Sequence, residues 1–257
     1  MNQDYEAFKM MIFRYTGINL SLYKEEQMLR WLNTLRVKRG MPSFVAYFQA
    51  MQTSNELLAE FLSRMTINVT EFFRNRPRWQ VLEEKMHELA AKKQKLAVWS
   101  AACSSGEEPY SLGIMLRRFL PVERFTILAT DLDREVLGRA EQGRYPEQAV
   151  AALTEKERQR YFTKEGAAYV VDRQLRHNMR FQSHDLLKDP APGRFDLIVC
   201  RNVLIYFTED GKSLIYRKLS DALYSDGVLF VGSTEQIFHP ENYKLEPAGT
   251  FFYTVKK

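Results

Sequence analysis

Between Leu96 and Leu116 the chain reads LAVWSAACSSGEEPYSLGIML. Leu96, Val98 and Trp99 favour a strand, and Ala101 to Gly106 carry little or no side chain. Pro109 suits the first turn of a helix, where its missing N–H is no loss. Tyr110, Leu112, Ile114, Met115 and Leu116 then give that helix an apolar side. A strand that turns on small residues into a helix is the repeating unit of an open α/β sheet, and the turn lets a ligand approach the backbone closely. Such turns usually cradle phosphate. Here Glu107 and Glu108 stand at the mouth, where two carboxylates would repel phosphate and attract a cation. The turn calls for a ligand that is uncharged or positive at this end.

Downstream, strands and helices alternate, which predicts a parallel sheet with helices on both faces. The second strand, 125–129, runs into Thr130-Asp131-Leu132-Asp133. Asp131 lies about 25 residues past the glycine turn, where an acid accepts hydrogen bonds from ribose hydroxyls. The alternative is that Asp131 caps the helix 134–142, a task Asp133 can do equally well. Residues 143–180 are less regular, with a charged helix at 154–161 and a strand at 168–171, and read as an insertion or small lid. After a strand at 179–182, His184-Asp185-Leu186-Leu187 could bind and sandwich an adenine ring, or cap a turn and fill core. FDLIVC, 195–200, reads as a central strand buried on both faces. It delivers Arg201 and Asn202 to its carboxyl end, where open α/β sheets place ligands. A helix at 209–224, a turn at 226–227 and strands at 228–232 and 251–255 follow. No helix separates the last two strands, so they are expected to form an antiparallel hairpin at the sheet edge.

Upstream, residues 1–75 read as all-helical, with helices at 4–15, 24–38, 43–51 and 55–65. In the segment 68–74, Asn-Val-Thr-Glu-Phe-Phe-Arg, the residue types alone make Phe72 and Phe73 core and Arg74 a surface charge. A charged amphipathic helix at 78–93 joins the two regions. Along 24–39, Met28, Leu29, Leu32 and Leu35, with Trp31 as a further candidate, line one helical face, and Lys24, Arg30, Arg36, Lys38 and Arg39 are left mostly on the other. That is either a solvated face or a docking surface for an acidic partner, nucleic acid or protein.

A chain of 257 residues, 45% hydrophobic, has enough apolar content for a sizeable core. No apolar run approaches the roughly 20 residues of a membrane span, and Asp4, Glu6 and Lys9 argue against a signal peptide. Cys103 and Cys200 both fall in core segments, which points to a reducing cytoplasm rather than a disulfide framework. The four histidines lack metal-ligand spacing, so no metal is expected. A nicotinamide domain would want G-x-G-x-x-G at 101–106, which is absent. The sheet, the acidic turn, Asp131 and the final hairpin instead match the fold of S-adenosyl-L-methionine-dependent methyltransferases, whose cofactor carries a sulfonium and an ammonium and no phosphate.

Five segments then carry a more specific likeness: NVTEFFR (68–74), VWSAACSSGEEPYSL (98–112), ATDLD (129–133), FDLIVCRNVLIYF (195–207) and GVLFVGSTEQI (227–237). In this order, over nearly the whole chain, they resemble the CheR family of chemotaxis receptor methyltransferases. The resemblance implies a small all-α domain (1–75) bearing a basic docking helix, followed by a Rossmann-like methyltransferase domain (76–257) with an insertion near 143–180. It implies protein-glutamate O-methyltransferase activity in the cytoplasm. Glutamate carboxylates on the cytoplasmic helical bundle of chemoreceptors would become γ-methyl esters, with S-adenosyl-L-homocysteine left behind.

Residue by residue, the likeness places Asn68, Thr70 and Arg74 at the methionine end of the cofactor, Arg74 facing its carboxylate. Glu108, or else Glu107, would meet the amino group. Asp131 would hold the ribose, Asp185 and Leu186 the adenine, and Arg201 and Asn202 the region of the sulfonium. Where relatives often carry Asn, this chain has Asp185, which when ionised can only accept. Arg74 and Tyr206 are the candidates for positioning the incoming carboxylate, and Arg30, Arg36, Lys38 and Arg39 for docking an acidic receptor face. A glutamate, with an ordinary pKa of about 4.3, is already ionised near neutrality, and the leaving thioether needs no proton. No catalytic His or Cys is therefore expected, and alignment of the reacting atoms, worth roughly 7–11 kcal/mol, carries the chemistry. Two rivals stand beside this reading. A nucleic-acid methyltransferase agrees with the net charge of +5, but the Asn-Pro-Pro-aromatic pattern of amino-methylating enzymes and an aromatic-and-basic platform are both missing. A cofactor-binding regulator without turnover would share most of the same residues.

Overall fold

The structure is a computed structural model that describes residues 2–66 and 68–256. Its first layer is four helices, α1 (Asn2–Thr16), α2 (Glu25–Lys38), α3 (Phe44–Thr53) and α4 (Asn55–Met65). Each buries residues three and four apart: Tyr5, Phe8 and Ile12; Met28, Leu32 and Leu35; Phe44, Tyr47 and Met51; Phe61 and Met65. The Phe8 ring lies 5.4 Å from Phe44 and 6.1 Å from Phe61. The caps are local. Ser43 accepts from the Ala46 N–H and Ser54 from the Leu57 N–H. Asp4 reaches across to accept from the N–H groups of Phe44 and Val45, at 2.7 and 3.1 Å.

After α5 (Arg76–Lys92) the sheet begins with β1 (Leu96–Ala101), α6 (Glu107–Leu116), β2 (Phe125–Asp131) and α7 (Arg134–Gln142). The insertion is β3 (Arg144–Pro146), α8 (Glu147–Val150), α9 (Glu155–Tyr161), β4 (Phe162–Glu165), β5 (Ala168–Val171) and α10 (Arg173–Arg176), its strands forming a separate antiparallel sheet in the order β3-β5-β4. Then come β6 (Met179–Ser183), β7 (Phe195–Cys200), α11 (Glu209–Asp221), β8 (Leu223–Val231), β9 (Leu245–Gly249) and β10 (Phe252–Val255). The main sheet has seven strands in the order β6-β2-β1-β7-β8-β10-β9; the first five are parallel and the last two antiparallel to their neighbours.

This is the methyltransferase-type α/β sheet with an all-α layer before it that the sequence predicts. Two details differ. β9 was not expected, and it is β9 that forms the edge hairpin with β10, while β10 lies antiparallel against β8. β8 also starts at Leu223 rather than Val228, with a register shift opposite Phe195 and Leu197.

The two-residue period of the strands separates two cores. Val98, Leu197, Val199 and Phe230 pack with α5, α6 and the insertion, and so do Phe72 and Phe73. Trp99, Ile198, Cys200, Leu229 and Val231 pack with the helical layer and α11 in one continuous cluster. Asp196, the charged residue inside β7, is buried but paired: its carboxylate takes the Lys93 ammonium and the Ala97 N–H, the latter at 2.8 Å.

Candidate functional site

The chain lays out β1, β2 and β6 to one side, then returns to place β7 on the other side of β1. That reversal leaves a crevice at the carboxyl ends of the strands. A cleft sits there, bordered by Met65, Thr66 and the loop from Asn68 to Arg74.

The turn after β1 is tight. Ala102, Ser104 and Gly106 have φ of +63°, +51° and +96°. A Cβ on Gly106 would lie 2.9 Å from both the Ala140 Cβ and the Tyr145 hydroxyl, so angle and space both demand glycine. The Cys103 N–H donates to the Thr130 carbonyl at 2.9 Å, and the Ser104 N–H to Asp131 Oδ2 at 2.8 Å. The other Asp131 oxygen accepts from the Asp133 N–H at 3.0 Å. Asp133 takes the cap of α7, accepting from the N–H groups of Glu135 and Val136. Asp131 is therefore not the cap and lines the cleft. Burial raises its pKa, opposed by the two backbone bonds.

Glu108 also lines the cleft, whereas Glu107 does not. Glu108 accepts from the Ser100 hydroxyl at 2.8 Å and stands 3.7 Å from the Arg201 guanidinium. Glu107 accepts instead from the Ser105 hydroxyl at 2.7 Å. Burial pushes both carboxyls up, and Arg201 and Ser100 partly restrain Glu108.

Residues 68–74 close the mouth because their aromatics are anchored elsewhere. Phe72 meets Tyr145 and Phe162 edge-on at 5.0 and 5.6 Å. Phe73, at φ +51°, meets Trp79 at 5.0 Å and donates its N–H to the Ser111 hydroxyl at 2.9 Å. Asn68, Thr70 and Arg74 consequently line the cleft. The Asn68 amide donates to Asp133 Oδ2 at 3.0 Å. Arg74 donates to the Val69 carbonyl at 3.0 Å, so it is a cleft residue and not a spare surface charge.

At the end of β7, Arg201 is buried over the Phe230 ring, 4.6 Å from its centre, and donates to the Arg74 carbonyl at 2.9 Å. Asn202 follows at φ +59°. Beneath both lies Glu235, to which the sequence reading gave no role. Its Oε2 accepts from the N–H groups of Asn202 and Gly232, at 2.6 and 2.8 Å, and its Oε1 from Leu204 at 2.7 Å. The available signal was a lone acid directly after a buried strand, in GVLFVGSTEQI. At the adenine-like turn, Asp185 Oδ1 accepts from the Leu187 N–H at 2.8 Å while Asp185 and Leu186 line the cleft. His184 Nε2 faces the Pro190 carbonyl at 3.0 Å and must donate there, which leaves Nδ1 turned away from that bond. Tyr206 lines the cleft as well.

The four cations expected on α2 part ways. Arg36 folds back to donate to the Met41 carbonyl at 2.6 Å and Asn33 Oδ1 at 2.8 Å, with its guanidinium over Phe44, so it is held against the end of α2. Arg39 pairs with Glu60 and Glu56 at 2.7 and 3.3 Å, and Lys38 reaches Glu60 at 3.6 Å. Arg30 is exposed and has no ion pair among the described residues. Arg64 of α4, which the sequence reading missed, shares a groove with Trp31, Thr34 and Lys38.

Comparison with known proteins decides the family. Residues 68–252 match the model described as CheR methyltransferase, SAM binding domain, and residues 3–66 the one described as CheR methyltransferase, all-alpha domain. This chain belongs to the CheR methyltransferase family. It is 46% identical over 255 residues to the chemotaxis protein methyltransferase of Listeria innocua, covering 98% of this chain and 97% of the relative. To chemotaxis protein methyltransferase 1 of Pseudomonas aeruginosa it is 34% identical over 258 residues, covering 95% and 94%. To the Escherichia coli protein of the same name as the Listeria one it is 32% identical over 265 residues, covering 98% and 91%.

The cofactor of this methyltransferase is S-adenosyl-L-methionine, and the cleft fits it. Ser104 Oγ, His184 Nδ1 and Arg201 Nε are buried at the cleft without partners among the described residues. Such orphans cost about 1–3 kcal/mol each until something satisfies them. Glu108 suits an ammonium, and Asp131 still has lone pairs for hydroxyls. Among the described residues no cluster could hold a metal ion, and no helix is long and apolar enough to cross a membrane.

Proposed function

We propose that this methyltransferase esterifies glutamate side chains on the cytoplasmic helical bundle of chemoreceptors, producing γ-methyl esters in the cytoplasm. The observation that supports it most is the composition of the cleft: two buried acids, Glu108 and Asp131, on the inner side, and Arg74 with Tyr206 at the loops that close it. An inner acidic side suits the cationic cofactor, and a cationic, hydroxyl-bearing outer side suits an anionic substrate. The names of the relatives, chemotaxis protein methyltransferases, direct the choice of substrate.

When bound, the cofactor supplies an electrophilic methyl group on a sulfonium. Asn68, Thr70 and Arg74 would hold its methionine end, Glu108 its ammonium, Asp131 the ribose, Asp185 and Leu186 the adenine, and Arg201 and Asn202 the neighbourhood of the sulfur. The substrate carboxylate arrives ionised, so the protein removes no proton. Burial pushes the Tyr206 hydroxyl above its usual pKa; it stays protonated and can donate to one carboxylate oxygen while the other attacks. Burial likewise pushes the Cys103 and Cys200 thiols well up, away from any nucleophilic role. What remains is alignment, worth roughly 7–11 kcal/mol when well made. For docking, Lys38 and Arg64 border the groove beside Trp31, Arg30 is exposed on the same helix as Trp31, and the three suit an acidic helix.

The test is labelled S-adenosyl-L-methionine with chemoreceptor-bearing membranes. The reading requires label in receptor protein that mild base releases as methanol, because esters are base-labile. Base-stable label, or label in nucleic acid, would replace it.

A further inference from the structure

Trp31 occupies two places at once. It lines the groove of α2 and α4 with Thr34, Lys38 and Arg64. Its ring also meets Tyr206 edge-on, with centres 5.9 Å apart and planes at 63°, and Tyr206 lines the cleft. The link is reinforced from the backbone. Tyr206 sits in a short 3-10 turn, Leu204–Tyr206. Its carbonyl accepts from the N–H of Lys24 at 2.9 Å, and Lys24 is the N-cap residue immediately before α2. On either side, Tyr23 bridges Phe207 with rings 4.8 Å apart, and the Leu22 carbonyl accepts from both the Thr208 N–H, at 2.9 Å, and its hydroxyl, at 3.2 Å. A Cβ on Gly211 would stand 2.7 Å from that Leu22 carbonyl, so the strap lies flush on α11. Trp31 is seven residues beyond Lys24, about two turns and about 10 Å along the helix. The N-cap of α2 therefore fixes the backbone of Tyr206, and a residue two turns later fixes its ring.

We propose that Trp31 is a positioning residue for Tyr206, and that the strap Leu22–Lys24 makes α2 and the cleft loop one rigid gauge between docking and methyl transfer. The inference rests on the role given to Tyr206 above. A substrate helix in the α2–α4 groove lies against the same indole that orients Tyr206, so its reacting carboxylate meets a hydroxyl already in place. Trp31 touches no reacting atom; it acts through Tyr206.

Four variants test this with receptor-bearing membranes as substrate: Trp31→Leu, which keeps apolar bulk without an aromatic edge, Trp31→Phe, Tyr206→Phe, and the double variant Trp31→Leu/Tyr206→Phe. The expected result for Trp31→Leu is a fall in kcat of about tenfold or more, with melting temperature and S-adenosylhomocysteine affinity at wild-type values. Trp31→Phe should recover most of the loss, and the double variant should be no slower than Tyr206→Phe alone, since both changes remove one device. A Trp31→Leu effect confined to KM, or losses that multiply in the double variant, would overturn the inference and make Trp31 a docking contact only. Wild-type kcat in Tyr206→Phe would strike instead at the reading of Tyr206 itself, so the two failures are told apart.

Discussion

Replacing Glu235 by glutamine is the sharpest single change the structure offers, because it removes one charge and leaves the volume alone. The carboxylate holds three backbone N–H groups, from Asn202, Gly232 and Leu204, at 2.6, 2.8 and 2.7 Å. Glutamine has one acceptor oxygen. Seated on the Oε2 side it keeps Asn202 and Gly232 and turns its amide hydrogens onto the Leu204 N–H. One hydrogen bond to a charged group, about 1.5–3 kcal/mol, is lost and a buried N–H is left unpaired at about 1–3 kcal/mol more. Burial already raises the Glu235 pKa, so losing the charge returns part of this. A net loss of about 3 kcal/mol follows, which for a chain of this size lowers Tm by roughly 6–12 °C. Because Asn202 is held at positive φ by this contact, the variant should also bind S-adenosylhomocysteine about tenfold more weakly, about 1.4 kcal/mol. Calorimetric melting and a binding titration read both. A variant that melts with the wild type and binds equally well would show that the loop 201–206 holds its shape without Glu235.

Other outcomes follow from the same contacts. Gly106→Ala meets both a positive φ and a 2.9 Å clash; it should lower Tm and weaken S-adenosylhomocysteine binding together, and a neutral result would mean that the turn is soft. The carboxyls of Glu108 and Asp131 are raised in the free protein, so the folded state keeps their protons to higher pH than the unfolded chain does. Their contribution to stability is lost as pH rises from the ordinary carboxylate range through the folded pKa. A bound cation lowers those pKa values again, so cofactor binding should release protons and tighten as pH rises out of that window, as titrations in buffers of different ionisation enthalpy can measure. Reversal of Arg30 and Arg64 to glutamate should raise the KM for receptor membranes, most steeply at low salt, with S-adenosylhomocysteine affinity unchanged, whereas the same reversal at Arg36 should chiefly destabilise the fold.

The sequence made some elements readable and left others hidden, and the divide follows range. α7 was legible to the residue because its signals are local: Asp133 caps it and Gly143 ends it at φ +58°. The small-residue turn and the acids around it were legible for the same reason. β9 was not, since Leu-Glu-Pro-Ala-Gly carries Pro247 and Gly249 and becomes a strand only through its partner β10. The early start of β8 was hidden behind Asp226-Gly227, which reads as a turn; a Cβ on Gly227 would stand 3.0 Å from the Phe195 carbonyl, so the strand needs glycine to press there. The choice of Glu108 over Glu107 for the cleft, the backward fold of Arg36 and the three backbone bonds of Glu235 are tertiary facts that spacing cannot carry. Asn68, Thr70, Arg74, Asp131, Asp185, Leu186, Arg201 and Asn202, scattered over the chain, are brought to one cleft by the sheet.

The decisive measurement is tandem mass spectrometry of a chemoreceptor fragment after incubation with the protein and S-adenosyl-L-methionine. The account requires one added methyl group per modified site, located on glutamate side chains and removed by mild base. Methyl groups on lysine, histidine or a peptide terminus, or none on the receptor while the cofactor is still bound, would contradict it.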